Sequence, residues 1–415
     1  MFERLPMYQN IGKKAFKKDL ANIESLCTYL NDPQCKYPAI HIAGTNGKGT
    51  VSHMLASVLQ HSGLKVGLYT SPHYKDFRER IKINGRLIDE DEVIQFIEKH
   101  HKLLERISPS FFEISVAMAF DFFANQQVDI AIVETGLGGR LDSTNIINPQ
   151  LSVITNISLD HMDMLGDSIY QISKEKAGII KQNRPVVIGR YQTECDAVFF
   201  DKASAMKAEI SFASLRWKAL EESADRLRVG NELVDYGVQK LSDSPFFVEN
   251  VMTSLEALHV FHRLQGEVLE QTHFEEGINQ FESTTNYIGR WVTLSHSPLT
   301  IADSAHNFHA LSKVVQHLLA MQGQDLHIVL GFVKDKNVDK LLNIFPIHAQ
   351  YYFVKARVAR GMDARDLEKK ARLAGLVGDA YDSVTSGLSA AQSNASEQDI
   401  VFVGGSTFVV AEALN

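Results

Sequence analysis

The segment Ala43-Gly44-Thr45-Asn46-Gly47-Lys48-Gly49-Thr50 constrains this chain more than any other. A short β-rich run, residues 38–43, leads into it, and Val51, Met54, Leu55, Val58 and Leu59 follow it on one helical face. A glycine-rich turn between a strand and a helix N-terminus presents unpaired backbone N–H groups and the positive end of a dipole, which together suit a phosphate. Gly44, Gly47 and Gly49 give the backbone clearance, and Lys48 supplies charge. The usual phosphate loop has Ser or Thr directly after the Lys. Here Gly49 intervenes, so spacing alone leaves open whether the Thr50 hydroxyl meets phosphate or metal.

Residues 65–71 are again strand-like and complete a βαβ unit. Buried-strand patterns at 128–133, 151–156 and 185–188 alternate with helical ones, which predicts an α/β fold: a doubly wound, mostly parallel sheet carrying the P-loop. The alternation restarts with a strand at 299–302 and a helix whose Leu311, Val314, Val315, Leu318 and Leu319 share a face, then strands around Ile328, Tyr352 and Val401. A smaller, Rossmann-like α/β C-terminal domain is therefore expected, and 415 residues suit two cores. The boundaries are 1–285, a hinge at 286–298 beside the polar stretch ESTTNYIGR (282–290), and 299–415. In such folds ligands lie beyond the carboxyl ends of the strands.

A formal charge of -8 argues against nucleic-acid binding, which needs a clustered basic surface. Cys27, Cys35 and Cys195 are odd in number and lack metal-ligand spacing, which suits a reducing compartment. The first twenty residues lack the apolar centre of a signal peptide, and no run approaches the ~20 apolar residues that span a bilayer. The expectation is a cytoplasmic protein, away from membranes, acting on small molecules.

At the predicted strand ends, Glu134 closes VDIAIVE and runs into glycines, where a carboxylate suits Mg²⁺ beside a triphosphate; the alternative is a loop or capping carboxylate. His161 follows the strand from Leu151, as a ligand or as an ordinary core or surface residue. Ile169, Ile172, Lys176, Ile179 and Ile180 share one helical face, turning Lys176 inward while Lys174 and Lys181 reach water. An inward ammonium needs an acidic partner, a route to the surface, or a special purpose.

In order along the chain, HIAGTNGKGT, YTSPH, ETGLGGRLDSTN, LDHMDMLG, EKAGIIK, IGRW and DSAHN resemble the bifunctional folylpolyglutamate synthase/dihydrofolate synthase family of the Mur ligase superfamily, over nearly the whole chain. In that family the phosphate loop has Gly between the Lys and the hydroxyl residue, and it serves ATP. The resemblance implies ATP contacts at Gly44, Thr45, Asn46, Gly47, Lys48, Gly49, Thr50, Asn250, Arg290 and Asp303. It implies Ser71, Glu134 and His161 as Mg²⁺ ligands, a carbamylated Lys176, and catalytic roles for Lys48, His161 and Lys176. It puts Phe111, Phe112, Glu113, Leu141, Asp142 and Ser143 on the folate side, although Phe111 and Phe112 equally suit core packing. Departures are Ser158, where family members often carry Gly, and KARVARGMD (355–363), where the family shows a proline-containing segment.

The implied activity is an ATP-dependent amide ligase, a monomer, adding L-glutamate to dihydropteroate, to tetrahydrofolate (poly)glutamates, or to both, through an acyl phosphate. On that reading 1–285 binds ATP and the pteroyl substrate, and 299–415 is the glutamate ligase domain. One alternative is a Mur-type peptidoglycan ligase, opposed by the short stretch before the loop. The other is a nucleotide-dependent switch protein, which would consume ATP without an amino acid.

Overall fold

The structure, a computed structural model, describes residues 19–321, 325–334 and 336–414. The signal-peptide reading falls largely on residues 1–18, outside the described ones. The chain divides into two compact units, 19–241 with 246–287, and 242–245 with 288–414.

The first unit carries strands β1 (Ala39–Ala43), β2 (Val66–Tyr69), β3 (Ile81–Ile83), β4 (Arg86–Leu87), β5 (Ile130–Glu134), β6 (Leu151–Ile154), β7 (Val186–Ile188) and β8 (Ile210–Phe212). They form one sheet in the order β4-β3-β2-β5-β1-β6-β7-β8. The pairs from β2 through β8 are parallel, and β3 and β4 join antiparallel at one edge. The sheet is covered on both faces, and side-chain alternation decides which residue faces which layer. Ile40, Ile42, Ile130 and Ile132 pack into one core with Val51, Met54, Leu55, Val58 and Leu59 of the helix Lys48–His61. Ala39, Ala131 and Val133 face the opposite core, with Ile114 and Phe120 of the helix Phe111–Asn125. Each fully buried Leu or Val contributes about 1.5–3 kcal/mol, so the helix after the loop is anchored by its own apolar face.

Three further strands, β9 (Lys218–Glu222), β10 (Arg226–Gly230) and β11 (Asp235–Gln239), make an antiparallel meander absent from the sequence reading. Its solvent face is charged, so only Leu227, Val229, Tyr236 and Val238 join the first core.

The second unit has β12 (Val292–His296), β13 (Leu299–Asp303), β14 (Leu326–Leu330), β15 (Gln350–Phe353), β16 (Gly378–Ala380) and β17 (Ile400–Gly404), in the order β12-β13-β17-β14-β15-β16. Only β12 runs antiparallel. Two elements lie in the stretch read as a polar hinge: the helix Phe281–Thr285 and β12 itself. Pairing with β13 holds β12 although its residues are mostly half-exposed, a constraint that polarity along the chain does not reveal. In the helix Phe308–Ala320, Leu311, Val314, Val315 and Leu318 are buried as expected, but Leu319 is exposed. Among the described residues no helix is long and apolar enough to cross a membrane.

Candidate functional site

Strand β1 lies between β5 and β6, so the loop that leaves it is flanked by the ends of both. Just after β6, Thr155 Oγ1 donates to Asn46 O at 2.6 Å, and Asn156 both accepts from Asn46 N and donates to Asn46 O, each at 3.1 Å. The Thr45 hydroxyl accepts from Ser158 N at 3.0 Å. Two glycines are dictated by these neighbours. Gly44 has φ +145, and a Cβ there would lie 1.9 Å from Thr155 Oγ1; Gly47 has φ +86, and its Cβ would lie 2.3 Å from Asn250 Oδ1. Asn250 therefore stands directly against the loop at Gly47. Gly49 differs, because an added Cβ would meet Glu134 Oε2 at 3.7 Å, an ordinary contact. Packing does not demand glycine at 49. The Thr50 hydroxyl, whose role spacing left open, bonds the Tyr287 hydroxyl at 2.8 Å.

Glu134 ends β5, 3% exposed, and its Oε2 accepts from Ser71 N at 3.1 Å. Two of the three residues that the resemblance implies for Mg²⁺ thus meet, through the backbone N–H of Ser71. His161 comes from the segment after β6, in left-handed conformation at φ 48, with its backbone N–H on Asp160 Oδ1 at 2.8 Å and its ring Nε2 3.9 Å from that oxygen.

Two ammonium groups converge on one carbonyl. Lys48 Nζ donates to Gly44 O at 3.2 Å and to Thr45 O at 3.3 Å, while Lys176 Nζ donates to Gly44 O at 2.7 Å. Lys176 is 4% exposed, on the inward face expected of it, although the helix Ile169–Ala177 stops before Ile179 and Ile180. Burial, reinforced by the charge of Lys48, brings its pKa down to about 7. Lys174 is exposed over the Tyr170 ring, whereas Lys181 is half-buried and donates to Asn145 O at 2.8 Å, so only the former reaches water freely.

The residues expected on the folate side divide in two. Phe111 is buried, and Phe112 lies so close to Gly136 that a Cβ there would come within 2.4 Å of its ring. Leu141 and Ser143 are half-exposed. Two carboxylates are already engaged. Glu113 closes a capping box with Ser110, accepting its N–H at 2.6 Å, and also receives Asn22 Nδ2 at 3.2 Å. Asp142 accepts from Leu137 N at 2.7 Å and from Thr144 N and Oγ1 at 3.0 and 2.6 Å, with His41 Nε2 on the same Thr144 hydroxyl at 2.8 Å. Both carboxylates shape the backbone around them. In the second unit, Asp303 ends β13 and accepts from Trp291 N at 2.9 Å and Ala305 N at 2.7 Å; burial raises its pKa against the pull of the Arg290 guanidinium.

Sequence reasoning missed Thr155 and Asn156, which brace the loop. Both had a signal, since the strand was read to end at Asn156 and ligands lie beyond strand ends in such folds.

Comparison with known proteins agrees with this geometry. The family described as Mur ligase middle domain matches residues 42–255, and Mur ligase, glutamate ligase domain matches 289–407. A "Probable bifunctional folylpolyglutamate synthase/dihydropteroate synthase" of Haloferax volcanii is 30% identical over 96% of this chain, which spans only 48% of that longer protein. The "Dihydrofolate synthase/folylpolyglutamate synthase" of Haemophilus influenzae is 31% identical, covering 90% of this chain and 87% of its own. Among solved structures, E. coli FolC in complex with DHPP and ADP superposes with TM-score 0.86 at 29% identity, over 98% of this chain and 95% of that one. A bifunctional folylpolyglutamate synthase/dihydrofolate synthase with Mn, AMPPNP and L-glutamate bound gives 0.84 at 27% identity, over 100% and 95%. With the phosphate loop, the strand-end glutamate and the buried lysine all in place, the chain belongs to the dihydrofolate synthase/folylpolyglutamate synthase family of Mur-type ligases.

Proposed function

We propose that this protein joins L-glutamate to a pteroyl carboxylate at the expense of ATP. The observation that carries the reading is the convergence of Lys48, Lys176 and Glu134 around a phosphate loop in a chain of this family. A carboxylate oxygen of the acceptor attacks the γ-phosphoryl group, and ADP leaves. The amine of glutamate then attacks the acyl carbon, phosphate leaves, and the amine sheds a proton. No protein nucleophile is needed, so the chain contributes by positioning and by offsetting charge. The loop N–H groups and Lys48 hold phosphate oxygens, Asn250 stands against the loop beneath them, and Ser71, Glu134 and His161 would hold Mg²⁺. The ion supplies charge neutralisation at the transferring phosphoryl group. Lys176, as its carbamate, becomes an anion suited to supporting a metal.

The test is ADP release by the purified protein with dihydropteroate or tetrahydrofolate. Release should require Mg²⁺, the pteroyl substrate and L-glutamate together, with a new amide by mass spectrometry. Rapid ATP hydrolysis without either co-substrate, and no amide, would discard the ligase reading.

Gly49 provides a second prediction. Gly49→Ala fits the unliganded fold and improves helix propensity by up to about 1 kcal/mol, so its melting temperature should equal or exceed that of the wild type. The new methyl stands beside Glu134, in the space needed by phosphate and metal, and kcat/KM for ATP should fall about 10-fold or more. Unchanged ATP kinetics would show that the offset glycine is not there for the nucleotide.

A further inference from the structure

Arg80 is a buried cation without an ion-pair partner among the described residues. It is 4% exposed and sits just before β3. Its Nε–H donates to His73 Nδ1 at 2.8 Å, its guanidinium carbon lies 5.3 Å from the centre of the Phe111 ring, and the Tyr69 hydroxyl is among the groups that act on its charge. That hydroxyl lies 2.8 Å from Ser115 Oγ, which donates in turn to Phe112 O at 2.8 Å. An imidazole that accepts at Nδ1 is neutral, as are the phenol and the aromatic face. The two carboxylates whose charge acts on Arg80 are each bonded elsewhere: Glu79 accepts from Tyr74, Lys75 and Asp76 N–H groups at 2.6, 2.9 and 2.8 Å, and Glu134 from Ser71 N. Among the described residues no carboxylate lies within ion-pair distance of Arg80.

A guanidinium cannot escape this cost by losing its proton. Burying it unpaired is unfavourable unless an anion arrives to share the site. The surroundings indicate which anion. His73, Phe77 and Phe111 form an aromatic cluster, with ring centres 5.5 Å apart for the two phenylalanines and 6.4 Å from each to the imidazole, and Arg80 stands against Phe111. His73 is also two residues from Ser71, whose N–H bonds Glu134. Aromatic surface next to a forked cation matches a flat aryl carboxylate, while the nucleotide phosphates have their own loop.

We propose that Arg80, aimed by His73 and Phe111, binds the carboxylate of a pteroate-type acceptor. This rests on the ligase reading and names the side chain that recognises its acceptor.

Titration calorimetry on the full chain tests it without turnover. In Arg80→Met, dihydropteroate should bind at least about 10-fold more weakly, because a charge-assisted, two-pronged contact is lost. ADP affinity should stay unchanged, and the neutral carboxamide analogue of dihydropteroate should bind wild type and variant alike. The melting temperature of the ligand-free variant should not fall, since an uncompensated buried charge has been removed. Equal weakening of acid and carboxamide, or weakening of neither, overturns the proposal. If Arg80→Met fails to bind ADP and is misfolded, His73→Leu keeps the charge and removes the group that aims it. Dihydropteroate alone should then weaken, and unchanged affinity overturns the assignment. Wild-type protein that binds dihydropteroate but makes no amide would sink the ligase reading and leave Arg80 standing; amide formation with unaltered binding in both variants would do the reverse.

Discussion

Lys48→Ala should lower kcat by roughly 10²-fold or more while the protein stays folded. The Lys48 ammonium rests on the carbonyls of Gly44 and Thr45, at 3.2 and 3.3 Å, with its side chain half-exposed. Those contacts are modest, so the stability cost of losing them is about 1 kcal/mol. Phosphate oxygens are stronger acceptors, and charge shifts among them as the γ-phosphoryl group transfers. A positive charge fixed in advance at the loop is therefore worth more in the transition state than in the ground state, which places the loss in kcat. Single-turnover measurement at saturating ATP and Mg²⁺ checks this. Near-normal turnover would remove Lys48 from the phosphoryl-transfer machinery.

Removing Lys176 should have a still larger effect, roughly 10²- to 10³-fold on ligation, together with a gain in stability at neutral pH. The two outcomes share one cause. Burial and the neighbouring Lys48 bring the Lys176 pKa down to about 7, so the neutral amine needed to react with CO₂ is abundant near neutrality. The product is an anion, which relieves the convergence of two cations on Gly44 O. Lys176→Ala should lose ligation, and acetate should restore part of it by filling the vacated position. For the uncarbamylated protein in CO₂-free buffer, the sign of the stability effect follows from linkage. The unfolded chain holds the lysine proton up to about pH 10.4, whereas the folded chain releases it near 7, so wild-type stability rises with pH between those values. The penalty of the buried ammonium is complete at and below pH 7. Lys176→Met should therefore be more stable than wild type at pH 7, and the difference should vanish as pH approaches about 10.4. Full ligation by Lys176→Ala, or a stability gap that grows with pH, contradicts this account.

The α/β architecture with parallel strands, the helix after the loop and the inward turn of Lys176 were all legible in the chain. Each depends on features that sequence displays directly: hydrophobic period, glycine placement and the order of apolar runs. The seams were not. Helix Phe281–Thr285 and strand β12 occupy a stretch whose polarity reads as linker, and the β9–β11 meander shows one apolar face too short to stand out from its charged neighbours.

For the site, the identity of the chemical groups came from sequence, and their employment came from tertiary structure. Nothing local in SFFE or RLDST reveals that Glu113 and Asp142 also cap backbone, which they do because the N–H groups of Ser110, Leu137 and Thr144 come within reach. Asn156 became part of the phosphate loop only because β6 lies alongside β1. Arg80 reads as one more surface charge in FRERIKI, and only folding against Tyr69, His73 and Phe111 buries it without an acid. A sequence specifies which groups can pair and the periodicity that turns them inward. Which partner each one meets is set by strand order, and strand order is decided by packing among segments far apart in the chain.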